Sequence, residues 1–173
     1  MSHPEPPIAG DEVATLLGSL ERQRATFAWK CGGLDAAGLA ARLEPSALTL
    51  GGLLKHMARV EDDTFSRKLN GRAPRPPWHD GDWESDWRAA DDHNPEELRA
   101  LWEESVASSR AAVDEALAEG GLDRLGAPLP DGRAPSLRRL LIDLIEEYAR
   151  HVGHADLIRE SVDGLTGEDP PAE

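Results

Sequence analysis

Cysteine is nearly absent: Cys31 stands alone among 173 residues, so neither an intrachain disulfide nor a cysteine-built zinc framework can form. Lysine is almost as scarce, limited to Lys30, Lys55 and Lys68, and 33 acids against 19 lysines and arginines leave a net charge of −14. Nucleic-acid binding draws most of its affinity from Lys and Arg on the phosphate backbone, so a chain this acidic has no general surface for that partner. Val, Ile and Thr together number 15, a poor supply for β-sheet. No segment reaches the ~18 uninterrupted apolar residues of a membrane span. The first ten residues carry His3, Pro4, Pro6 and Pro7 but no hydrophobic stretch of the signal-peptide kind. The expectation is a soluble, cytoplasmic protein with no membrane partner.

What is abundant is Ala, Leu, Glu and Arg, a mixture that favours helix. Apolar spacing and capping residues predict four long helices. The first runs from Asp11, a side-chain cap, to Lys30, with Val13, Leu16, Leu17, Leu20 and Phe27 on one side and Gly32-Gly33 as its stop. A short helical piece follows over Asp35 to Arg42. The second long helix begins after Thr49, carries Leu50, Leu53, Leu54, Met57, Val60 and Thr64 on one face, and ends near Leu69 before Asn70-Gly71. Asn94-Pro95-Glu96-Glu97 has a cap, a proline at the first helical position and a glutamate three residues after the cap, so it starts the third helix, to about Ala118. A tight turn or small hairpin is expected around Asp131-Gly132. Ser136 then caps the fourth helix, which ends at Asp163-Gly164.

These elements make an all-α fold, an antiparallel-type four-helix bundle, over residues 11–164, with flexible segments at 1–10 and 165–173. The stretch between helices two and three, Gly71 to Asn94, is the longest without periodicity and holds Trp78, Trp83 and Trp87. Loops of that length inside a compact domain are usually functional or mobile. Its tryptophans suit a cover for a binding site, a dimer surface, or plain anchorage of the loop. Trp29 and Trp102 read as core residues, and His79 and His93 as surface ones.

Successive helical residues turn by about 100°, so Glu147, His151 and His154 share one face of the fourth helix within roughly 60°. They sit at the edge of its apolar stripe, with His151 inside it. On the second helix His56 lies beside Leu53 and Val60 and also points inward. A buried imidazole needs partners for its nitrogens, and a divalent metal is one of them. A Glu and a His at i, i+4 reach one ion, and a His from another helix would complete three ligands with a position left open. The same E-x-x-x-H spacing also makes an ordinary surface ion pair. Two imidazoles and a carboxylate suit Zn²⁺ and equally Ni²⁺, Mn²⁺ or Fe²⁺.

The segments L-T-L-G-G-L-L-K-H-M-A-R-V-E, Leu48 to Glu61, and I-E-E-Y-A-R-H-V-G-H-A-D-L-I-R-E, Ile145 to Glu160, with Asp163-Gly164 behind them, resemble the DinB-like superfamily of four-helix metalloproteins. The closer likeness is to its actinobacterial branch related to mycothiol-dependent maleylpyruvate isomerase. The resemblance spans about Asp11 to Gly164. It implies a divalent metal between the second and fourth helices, held by His56, Glu147 and His151. Many superfamily members carry a H-x-x-x-H pair where this chain has Glu147 and His151; the maleylpyruvate isomerase branch is similar in using Glu at the first place.

His154 is a candidate fourth ligand, hydrogen-bonding partner of a ligand, acid/base group or plain helix-face residue. Arg59 and Arg150, close in sequence to the ligand candidates, are candidates to bind an anionic substrate or cofactor, or to pair with neighbouring acids. Glu61, about 140° from His56 around the helix, fits a hydrogen bond that ties helices together. Cys31, at a helix C-terminus, lacks the electropositive setting of a reactive thiol. The resemblance implies a small-molecule enzyme using a low-molecular-weight thiol such as mycothiol for transfer or isomerisation, and a homodimer. The alternatives are a metal-dependent hydrolase and a non-catalytic, stress-associated bundle that binds a small molecule and is stabilised by metal.

Overall fold

The computed structural model describes residues 5–78, 83 and 93–171. Among these the elements are helical: α1, Glu12–Cys31; a short α2, Ala36–Ala40; α3, Leu50–Glu61; α4, Pro95–Gly120; and α5, Leu137–Asp163. The long helices begin where the sequence places caps. Asp11, Thr49, Asn94 and Ser136 each accept a hydrogen bond from a backbone N–H in the first turn, and Asn94 with Glu97 forms a reciprocal capping box. Gly164 ends α5 in the left-handed conformation, φ 76°, that only glycine adopts without strain. The turn before α5 is a narrow hairpin: Leu125 pairs with Ser136, and Gly132 N–H donates to the Leu129 carbonyl.

The second predicted helix differs from expectation in one respect. It continues to Leu69, but from Asp62 onward as an eight-residue π-helix, Asp62–Leu69. π-helical turns are rare, short, and frequent at functional sites. Here the wider coil keeps Thr64, Phe65 and Leu69 buried while Asp62 is turned to bind Arg75 at 2.6 Å.

In the bundle α1 packs along α5, α3 along α4, and α3 meets α5. Leu20, Phe27, Leu53, Met57, Leu98, Leu141 and Leu144 are among the core residues shared by these helices. At its centre lies a charge. Glu61, the last α-helical residue of α3, is fully buried and receives Arg24 of α1 in a bidentate pair at 2.8 and 2.7 Å. The Tyr148 hydroxyl of α5 donates to the same carboxylate at 2.7 Å, and the Trp102 indole of α4 donates to Tyr148 at 2.9 Å. Burial, then the Glu61 charge, push the Tyr148 hydroxyl well above its ordinary pKa, so it remains a donor. Glu61 thus ties helices together, as its place on α3 suggested.

Trp102 and Trp78 are buried. Trp29, expected in the core, is only partly buried, with the Lys30 ammonium 3.9 Å from its ring centre; Lys30 is itself fully enclosed and paired with Asp156 at 2.7 Å. His93, expected at the surface, is partly buried beside the Asn94 cap. His79 and Trp87 lie outside the described residues. At the flanks, Arg22 pairs with Glu5, Glu168 and Asp169. No helix among the described residues is long and apolar enough to cross a membrane.

Removing Glu61 would strand the buried Arg24 guanidinium. Glu61→Ala is therefore expected to lower the unfolding free energy by roughly 3–5 kcal/mol, read from urea denaturation; a loss below about 1 kcal/mol would mean that the pair is not buried as described.

Candidate metal centre

α3 and α5 meet where the apolar stripe of each gives way to polar residues. His56 comes from α3, and Glu147 and His151 from successive turns of α5. One ligand atom from each of the three lies within 4.8 Å of the others. His151 is buried, while His56 and Glu147 are partly exposed, so the cluster has a closed side and an open one. The His56 and His151 rings sit edge to face with centroids 4.8 Å apart, and His151 Nε2 is 3.4 Å from Glu147 Oε2.

The setting of His151 keeps its ring uncharged. Burial, reinforced by the nearby His56, His154 and Arg150, lowers the His151 pKa to about 3, so the imidazole is neutral at physiological pH. A neutral ring gains little Coulomb energy from Glu147, whereas it offers the lone pair that a metal requires. Two imidazoles and one carboxylate, gathered this closely, fit a divalent first-row ion.

His154 does not belong to the three-residue cluster. Its Nδ1 lies 3.3 Å from His151 Nδ1, on the side of the ring away from Glu147. The two nitrogens are within hydrogen-bonding reach, and which of them donates depends on the tautomers of the two rings.

The open side of the cluster faces a cavity of about 350 Å³ that His56 and Glu147 help to line. Trp83 forms part of its wall, meeting His56 at 5.9 Å between ring centroids, with the Arg59 guanidinium 4.1 Å from the indole centre. The two described tryptophans between α3 and α4 therefore differ: Trp78 is buried in the core, and Trp83 lines the cavity. Of the two candidates for binding an anion, Arg59 is buried with its guanidinium against Trp83, and Arg150 is exposed on the cavity wall.

Sequence reasoning missed the rest of this wall. Asp63, Thr64 and Lys68 come from the π-helix, and Asp143 and Glu146 from α5. A lysine next to an arginine near the end of a predicted α-helix carried no signal; only the π-helical turn, which packing decides, places Lys68 2.9 Å from Asp63 on this wall. Arg67 and Lys68 hold the Asp63 carboxyl below its ordinary pKa against the opposing effect of burial.

Cys31 is 1% exposed, and burial raises its thiol to about 12. The chain's own sulfur is thus no nucleophile. Iodoacetamide is expected to leave Cys31 unmodified in native protein at pH 8 and to alkylate it fully in denaturant, read by mass spectrometry; native labelling would show that the thiol is accessible.

Residues 15–164 match the family described as Mycothiol-S-transferase. Among solved structures, the chain is similar to the crystal structure of the mycothiol-dependent maleylpyruvate isomerase, with a TM-score of 0.53 and 19% identity, over 80% of this chain and 59% of that one. At that identity the likeness is one of fold, and this chain spans only 59% of that protein's length. No curated protein matches the chain.

Proposed function

The chain belongs to the mycothiol-S-transferase family, within the DinB-like branch, and from that premise we propose that it is a metal-dependent enzyme that transfers a low-molecular-weight thiol, mycothiol, to a small molecule. The observation that carries this reading is the gathering of His56, Glu147 and His151, from two helices, at the edge of one cavity.

His56, Glu147 and His151 would hold the ion. When bound, it supplies a positive charge that favours the ionised form of a thiol at neutral pH, and Zn²⁺ is the first candidate, with Ni²⁺, Mn²⁺ and Fe²⁺ also compatible with the donors. The protein's own contributions are positional. The buried wall behind His151 keeps water from one side of the cluster, and the cavity in front leaves room for thiol and acceptor. With His154 accepting from His151 Nδ1–H, the Nε2 lone pair would be left for an ion shared with Glu147. That makes His154 a positioning residue rather than a ligand. Arg150, exposed on the cavity wall, remains a candidate contact for an anionic group of either substrate.

Purified protein is expected to hold about one divalent ion per chain by elemental analysis, and His56→Ala, Glu147→Ala and His151→Ala to lose it together with mycothiol-dependent turnover. Metal content unchanged in these variants would refute the site. Thiol-free ester or amide hydrolysis by the loaded protein would point instead to a hydrolase. Chelation that lowers the melting temperature, with no turnover at all, would point to a metal-stabilised binding bundle.

His154→Ala is expected to retain the site but weaken metal affinity by roughly 10–100-fold, measured by competition with a chromophoric chelator. Affinity equal to that of the unaltered protein would assign His154 to the helix face alone.

A further inference from the structure

Trp83 stands at the cavity rather than in the core. Trp78, five residues earlier, is 6% exposed and packed in the core. Trp83 keeps 38% of its surface exposed although Arg59 lies against its ring and His56 against its edge. Arg59 is itself buried, and the indole on it lines the cavity. A partly exposed aromatic surface beside candidate ligands is a contact suited to another flat group.

The cavity lining is mixed: Trp83, Val60 and Leu144 are apolar, and the acids, Thr64, Lys68 and Arg150 are polar. Transfer of a thiol requires two molecules in that space. A polar thiol cofactor suits the charged and hydroxyl-bearing residues, which leaves the apolar ones, Trp83 the largest of them, to the acceptor.

We propose that Trp83 is the specificity-determining residue for the acceptor, and that the acceptor is a flat, largely apolar, aromatic or conjugated molecule that packs on the indole beside the His56, Glu147 and His151 cluster. This inference rests on the thiol-transfer reading for the identity of the second molecule, but the packing itself does not need the metal.

The test uses 1,3-dinitrobenzene, which has a flat ring and no displaceable group, with the full chain labelled with ¹⁵N. The indole N–H resonance missing in Trp83→Phe identifies Trp83 in the NMR spectrum. In the unaltered protein that resonance is expected to move on titration, with and without prior chelation, while the Trp102 resonance stays. Trp83→Ala is expected to weaken binding about tenfold and Trp83→Phe less than about threefold. With mycothiol as the thiol, Trp83→Ala should raise KM for 1-chloro-2,4-dinitrobenzene by a larger factor than KM for iodoacetamide, a small non-aromatic acceptor. A Trp83 resonance that does not move in the unaltered protein overturns the proposal whatever the fate of the variants, and so does equal binding by folded Trp83→Ala. Thiol-dependent turnover with no response at Trp83 overturns this inference alone. A response at Trp83 without metal or thiol turnover supports the aromatic contact and overturns the transferase reading alone.

Discussion

The Glu61 carboxylate is the constraint on which the bundle turns. A charged group with no exposure is costly unless every oxygen is matched, and here Arg24 and Tyr148 match them from α1 and α5 while Trp102 of α4 supports Tyr148. Apolar stripes alone permit helices to slide or rotate with little penalty, since many volume-conserving packings are close in energy. A bidentate guanidinium and a phenol on one carboxylate do not. They fix the rotation and height of α3 against its neighbours.

That fixing reaches the candidate metal centre through short lengths of helix. His56 lies five residues before Glu61 on α3. Tyr148 is the immediate neighbour of Glu147 and stands three residues before His151 on α5. The hydrogen bond between Tyr148 and Glu61, 2.7 Å long, therefore joins the same two helices that the ligand cluster bridges. The buried ion pair and the polar cluster thus share α3 and α5, and whatever fixes the one pair of helices bears on the spacing of the candidate ligands.

Much of this was legible because helices announce themselves locally. Asn94 with Glu97, Ser136 and Thr49 place helix starts to within a residue, and the 3.6-residue period puts Glu147, His151 and His154 on one face before any packing is known. The partnership of Glu61 was also readable, since a carboxylate on an apolar arc must find donors. Other features depend on contacts between distant segments and leave no local trace. The burial of Arg59 needs Trp83, which arrives from a stretch with no periodicity. Lys30 looks like the cation that complements the end of α1, yet it is enclosed by Asp156 of α5 and its own neighbour Trp29. The change from α to π winding at Asp62 accompanies the burial of Phe65 and Leu69 and the Asp62–Arg75 pair, contacts that no propensity scale contains.

The π-helix has an evolutionary consequence. Each added or deleted residue turns everything beyond it by about 100°, and the π segment lies downstream of His56 but upstream of Asn70. A single insertion or deletion there would re-aim Asp63, Thr64 and Lys68 while His56 kept its phase, because His56 is fixed on the other side of Glu61. One end of this helix is thereby held by Glu61, and the other can re-aim its side chains only as far as the burial of Phe65 and Leu69 allows. The shape and charge of the chamber could in this way change while the candidate ligands stay in place.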